Sequence, residues 1–168
     1  MNILLLFSNR MSSKKQHKLA HALLHKQLGY IPDLSFGEHG KPYITNNSDL
    51  HFNLSHSKYA VACITSSSTV GIDIEEIRPL RKNVMKRAFS EKEQADVLAS
   101  ENPDEYFFQL WTLKESYVKA IGIGISFPMN NVEFCLKNNI IQSNIKNADF
   151  LQYVIGSKFV VSVCKLKS

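Results

Sequence analysis

The stretch Val70-Gly71-Ile72-Asp73-Ile74-Glu75-Glu76, "VGIDIEE", reads as a β-strand: β-branched residues recur at every second position and a glycine stands near its start. Ile72 and Ile74 would share one face, Asp73 and Glu75 the other, with the two carboxylates roughly 7 Å apart by strand rise. Like charges in that arrangement repel. Either they lie on a wet face, or a divalent cation turns the repulsion into attraction. The strand alone leaves both readings open.

The 168 residues around it suit one domain, or two small lobes sharing a core. At 44% hydrophobic and 21% charged the composition is that of an ordinary globular protein. No apolar run approaches the ~20 residues that span a bilayer, so a membrane partner is not expected. The apolar run from Ile3 to Phe7 has no basic residue before it and no small-residue cleavage site after it. The expectation is therefore a first strand in a cytoplasmic protein. Cys63, Cys135 and Cys164 lie far apart without a CxxC pair, which excludes a zinc cluster and a disulfide framework. Cys63 and Cys164 sit in apolar runs and are expected as buried thiols. The formal charge of +5 favours an anionic partner. Basic residues cluster only modestly, at Lys14, Lys15 and Lys18 and between Arg78 and Arg87, and no recognition-helix or zinc-finger pattern accompanies them, so nucleic acid is not expected.

Capping signals place the helices. Ser12 or Ser13 starts one that Gly29 stops; His17, His21 and His25 line one flank of it, read as solvated rather than as a metal stripe. Residues 30–47 read as loops, and 50–54 and 59–65 as strands, with a polar turn at 66–69 before the opening strand. Pro79 breaks the chain and 80–88 reads as helical. Ser90 and Glu93 form a capping box. Asn102, Pro103, Asp104 and Glu105 open a longer helix that Gly122 closes. Strands and Asn-rich turns follow. Residues 57–63 echo residues 157–163, three positions being identical at an offset of 100, as two similar lobes flanking a cleft would require.

Three clusters carry chemistry. A strand over Phe52-Asn53-Leu54 delivers Ser55, His56 and Ser57 at its end, where hydroxyls and an imidazole suit phosphate oxygens or simply cap a turn. In the helix Trp111–Lys119, Glu115 interrupts an apolar face beside Trp111; Lys119 lies one turn on, as an i,i+4 ion-pair partner or as a contact for an anionic substrate. A carboxylate there is partly desolvated, which raises its pKa unless a cation holds it, and makes it a candidate metal ligand and general base. Asp73, Glu75 and Glu115 are hard oxygen donors suited to Mg²⁺, and Lys119, His56 and Lys41 are donors for phosphates. This is an inventory for phosphoryl-group chemistry.

In order, Gly40-Lys41-Pro42, "FNLSHS" at 52–57, "GIDIE" at 71–75, "KRAFSEKE" at 86–93 and "WTLKESYVKAIGIGIS" at 111–126 resemble the motifs of the 4′-phosphopantetheinyl transferases, most closely the broad-specificity type that activates surfactin synthetase. The resemblance implies an α+β fold of two pseudo-twofold-related lobes, each a small, mainly antiparallel sheet packed on helices. Residues 1–69 would form the lobe on the coenzyme A nucleotide side and 70–168 the lobe with the metal and catalytic residues, the active site lying between them. With His at 56 and Gly at 156, only one of two related clefts need be equipped. The implied activity is Mg²⁺-dependent transfer of phosphopantetheine from coenzyme A to a serine of an apo acyl or peptidyl carrier protein, releasing adenosine 3′,5′-bisphosphate. By the same resemblance Asp73, Glu75 and Glu115 hold the metal, Glu115 is the base, Lys119 steadies the leaving phosphate, and Ser55 and His56 contact phosphate oxygens. Gly40, Lys41 and Pro42 line the adenine and 3′-phosphate end; the N-terminal region departs from the family's pattern, and of Lys14, Lys15 and Lys18 the last is the expected contact for that phosphate. One chain carrying both lobes implies a monomer. Three alternatives stand beside this: the smaller holo-acyl-carrier-protein synthase type, which closes its site by trimerising and against which length and both lobe-like segments argue; a non-catalytic member that binds coenzyme A or carrier proteins; and a Mg²⁺ nuclease using the same carboxylates.

Overall fold

A computed structural model describes residues 1–138 and 140–167, the side chain of Ile125 excepted. The first half runs β1 (Asn2–Phe7), α1 (Ser13–Leu28), a hairpin of β2 (Leu34–Phe36) and β3 (Pro42–Ile44), then β4 (His51–His56) and β5 (Ala60–Ser66). The second runs β6 (Val70–Glu76), α2 (Lys82–Ala88), α3 (Glu91–Ala99), α4 (Pro103–Ile121), two 3-10 turns at Gly124–Ser126 and Met129–Asn131, a hairpin of β7 (Phe134–Lys137) and β8 (Ile140–Ser143), then β9 (Ala148–Ile155) and β10 (Phe159–Leu166). The sheets are antiparallel with orders β1-β5-β4 and β6-β10-β9.

Each half is therefore strand, helix, hairpin, and the fold is the expected α+β class. The echoed residues span the turns β4–β5 and β9–β10 and the first strand residues after them. In both, the turn lysine's carbonyl accepts from the segment that follows the half's first strand: Met11 N–H to Lys58 O, and Ile77 N–H to Lys158 O, each at 2.8 Å.

Four layers result. α1 presses Ala20, Leu23 and Leu24 onto Phe52, Val61 and Cys63. The sheets face each other through Ala60, Ala62 and Ile64 on one side and Ile72, Ile74, Val161 and Val163 on the other. α4 covers the outer face of the second sheet, and Gly71 permits its approach: a Cβ there would stand 2.0 Å from the Ser116 carbonyl oxygen and 2.5 Å from Ala120 N. A separate core of Met85, Phe89, Val97, Phe107, Phe108, Leu110, Leu113 and Phe134 ties α2, α3 and β7 to α4.

The halves are also joined along an edge. β6 is the outer strand of its sheet, and its buried N–H groups need partners. Asn53 Oδ1 accepts from Ile72 N–H at 2.9 Å, and Ser55 Oγ from Ile74 N–H at 3.2 Å.

The helix caps agree with the sequence: Ser12 and Gly29 bound α1, Ser90 and Glu93 make a reciprocal capping box, and Asn102 and Gly122 bound α4. Two readings change. Residues 30–47 contain the β2–β3 hairpin, whose three-residue strands are too short to show a period. The helix expected from Leu80 begins at Lys82, because Leu80 N–H is held instead by Asp104 Oδ1 at 2.8 Å. Cys63 and Cys164 are buried free thiols.

Candidate active site

β6 delivers Asp73 and Glu75 to the face that α4 covers; Asp73 is only 5% exposed, while Glu75, two residues on, keeps part of its side chain in solvent. From α4, Glu115 and Lys119 descend toward them. Lys119 does not pair with its helix neighbour Glu115. Its ammonium donates to Asp73 Oδ1 at 2.7 Å, Ser55 Oγ at 2.8 Å and Ile72 O at 3.2 Å. Ser55 Oγ in turn donates to Asp73 Oδ1 at 2.9 Å. Three elements, β4, β6 and α4, thus meet at one carboxylate oxygen. The other oxygen, Asp73 Oδ2, is buried and has no hydrogen-bond partner among the described residues.

Glu115 feels the charges of this pair. Burial first, then the charges of Asp73 and Glu75, push its carboxyl up to about 7, with Lys119 opposing. Glu75 is likewise raised, by burial and by Asp73, and Arg78 restrains the shift through an ion pair at 2.9 Å. Among the described residues no three His, Cys, Asp or Glu side chains stand close enough to form a ligand shell as they are; repelling carboxylates settle on the nearest cations, Lys119 and Arg78. The donor set nevertheless fits a hard divalent ion: all three groups offer oxygen, two are held above their ordinary pKa by crowding and burial, and one oxygen is unsatisfied.

His56 ends β4 as an exposed residue and is not among the described residues lining the clefts that reach Glu115; partial desolvation of its ring, then the Lys119 ammonium, lowers its pKa. Gly40, Lys41 and Pro42 stand where the β2–β3 turn enters β3; Gly40 has φ +79° and closes the turn by donating to Gly37 O. Lys41 reaches the C-terminal end of α4, donating to Ala120 O at 2.5 Å and Val70 O at 3.4 Å, and burial brings its pKa down to about 8. Lys18 is exposed on α1 and is not among the described residues lining the clefts that reach Glu115.

Among the described residues, two clefts reach Glu115. One, of about 280 Å³, is lined by Gly40, Lys41, Pro42, Asn53, Glu115 and Lys119 among others. The second, of about 240 Å³, is mostly apolar, lined by Val84, Arg87, Trp111, Phe127, Pro128 and Met129. Glu115 and Met129 border both. Sequence reasoning had assigned no role to Asn53, whose signal was its i,i+2 relation to Ser55 on one strand face, nor to Arg78, three residues beyond Glu75.

This arrangement agrees with what comparison finds. The family model of the 4′-phosphopantetheinyl transferase superfamily matches residues 69–164, more than half of the chain. The chain belongs to that superfamily. A Bacillus subtilis 4′-phosphopantetheinyl transferase is 42% identical over 111 residues, covering 63% of this chain and 49% of its own length. The 4′-phosphopantetheinyl transferase gsp of Aneurinibacillus migulanus is 41% identical over 110 residues, covering 64% of this chain and 45% of its own. The matched region is thus about half the length of these curated relatives. Among solved structures, the Thermotoga maritima holo-[acyl-carrier-protein] synthase shares the fold at a TM-score of 0.51 and 24% identity, covering 60% of this chain and 64% of that one. Among the described residues no helix is long and apolar enough to cross a membrane.

Proposed function

We propose that this chain transfers the 4′-phosphopantetheine group of coenzyme A to a serine hydroxyl of an apo acyl or peptidyl carrier protein, releasing adenosine 3′,5′-bisphosphate. The observation that carries the reading is Glu115: a half-buried carboxyl bordering two clefts, raised to about 7 by desolvation and by the charges of Asp73 and Glu75. A base poised near neutrality suits removal of a hydroxyl proton.

Asp73, Glu75 and Glu115 would hold Mg²⁺, which when bound supplies charge neutralisation at the diphosphate. The chain's own groups do the rest. Lys119 is within reach of the leaving phosphate and is oriented by Ser55 and Asp73. His56 at the end of β4 contacts a phosphate oxygen. Residues 1–69 serve the nucleotide: Gly40, Lys41 and Pro42 line the first cleft, and Lys18 on α1 meets the 3′-phosphate outside it. Residues 70–168 bring the base and the metal ligands. The apolar cleft with Arg87 at its wall takes the acceptor side, since carrier proteins are acidic and the chain is basic. The three free thiols fit a cytoplasmic setting, and both halves in one chain fit a monomer.

The test is to incubate the protein with coenzyme A, Mg²⁺ and an apo carrier protein, then weigh the carrier by mass spectrometry. The expected product is a carrier bearing one phosphopantetheine unit. An unmodified carrier, with coenzyme A bound to the enzyme, would identify a binding protein instead.

A further inference from the structure

Behind the catalytic face of α4 lies a second ionic cluster that the transfer chemistry does not use. Lys114 precedes Glu115 and points about 100° away around the helix. Its side chain is 0% exposed and that of its partner Glu93 is 2%. The Lys114 ammonium donates to Glu93 Oε2 at 2.8 Å, to Met129 O at 2.8 Å and to Val132 O. Three protons thus meet three acceptors. Glu93 is equally engaged: Oε2 accepts from Ser90 N–H at 2.8 Å and Oε1 from Phe134 N–H at 2.9 Å. The cluster binds α3, α4 and β7 to the second 3-10 turn and the residue that follows it.

A buried ion pair is seldom more stabilising than an apolar pair of the same volume, so its retention here calls for a role in placement. What it places is specific. The 127–132 segment is held only lightly by its own backbone, with Phe127 N–H to Gly124 O, Asn131 N–H to Pro128 O and Val132 N–H to Met129 O at 3.0–3.2 Å. Phe127, Pro128 and Met129 form one wall of the apolar cleft, whereas only Met129 of them reaches the first cleft. We propose that the Lys114–Glu93 pair positions the 127–132 segment as the wall of the acceptor-side cleft, and so sets acceptor affinity rather than the rate of transfer. This rests on the transferase reading above and on its assignment of that cleft to the acceptor.

The test compares Lys114→Met, which keeps length and removes the ammonium, with the wild type. Two readouts are taken: amide hydrogen exchange, and KM for acceptor and for coenzyme A separately. Exchange in residues 127–132 should rise about tenfold or more while residues 110–118 of α4 stay protected. The acceptor KM should rise about tenfold, with the coenzyme A KM within about twofold and kcat within about threefold. A purely structural role would lower the active fraction and leave both KM values alone. Unchanged acceptor KM in a folded, active variant, or unchanged exchange in the segment, overturns the inference. If Lys114→Met does not fold, Glu93→Gln, which preserves an acceptor for Phe134 N–H, is read by the same criteria. Absence of transfer by the wild type would sink the transferase reading instead, a distinct outcome.

Discussion

Glu115 bears the heaviest chemical assignment, and its substitution is the sharpest test at the scale of a residue. Glu115→Gln keeps shape and removes the base, so turnover should fall about 10²- to 10⁴-fold while circular dichroism stays native; near-normal turnover would rule out the assignment. Its pKa also sets a pH dependence. A carboxyl raised to about 7 when folded, against an ordinary value near 4.3, binds more protons folded than unfolded between those values. Without a divalent ion, its contribution to stability is therefore present below about pH 4 and lost as pH rises through 7. A divalent ion competes with that proton, so Mg²⁺ should raise the melting temperature more at pH 8 than at pH 5.5; an equal rise at both would show that Glu115 is not a ligand. Glu115, Asp73 and Glu75 stand out in the sequence because a carboxylate beside Trp111, and a pair on one strand face, each break an apolar pattern. The Lys119–Asp73 contact does not. Periodicity along a helix offers Lys119 only its i,i+4 neighbour, and the partner it takes lies 46 residues away.

At the scale of the element, the packing of α4 on β6 brings Lys119 onto Asp73, with Glu115 one turn earlier on the same helix, and Gly71 controls it. Gly71→Ala would drive a Cβ into the Ser116 carbonyl and Ala120 N, backbone atoms that cannot turn aside. The expected cost is about 3 kcal/mol or more, read as a lowered denaturation midpoint with transfer lost in what remains folded. A variant as stable as wild type would mean that the helix does not sit so close. The caps of α1, α3 and α4 were legible because capping is a local code of a few residues. The β2–β3 hairpin was not, since pairs of three-residue strands are specified by their partner rather than by any repeat of their own. The cover over β6 was not legible for the same reason: the sequence shows two carboxylates facing one way but not which helix covers them.

At the scale of the whole molecule, the two halves share one core through Ala60, Ala62, Ile64, Ile72, Ile74, Val161 and Val163, and Asn53 and Ser55 stitch β4 to the edge of β6. They should therefore melt together. Denaturant transitions followed by far-ultraviolet circular dichroism and by the fluorescence of Trp111, which reports the second half, should coincide; two separated transitions would show that the halves fold independently. The echo at 57–63 and 157–163 covers the two hairpin turns and the first residues of β5 and β10, where the two halves give a lysine carbonyl the same partner role. The joint between the halves matters because it carries Ser55 to Asp73 and Lys119, and with them the account's central claim: Asp73, Glu75 and Glu115 share one divalent ion. Mn²⁺ binding followed by electron paramagnetic resonance, with coenzyme A present, tests that claim most directly. The account predicts one tightly held ion per chain, lost in Asp73→Asn and in Glu115→Gln; an ion held with unchanged affinity in both variants would contradict it.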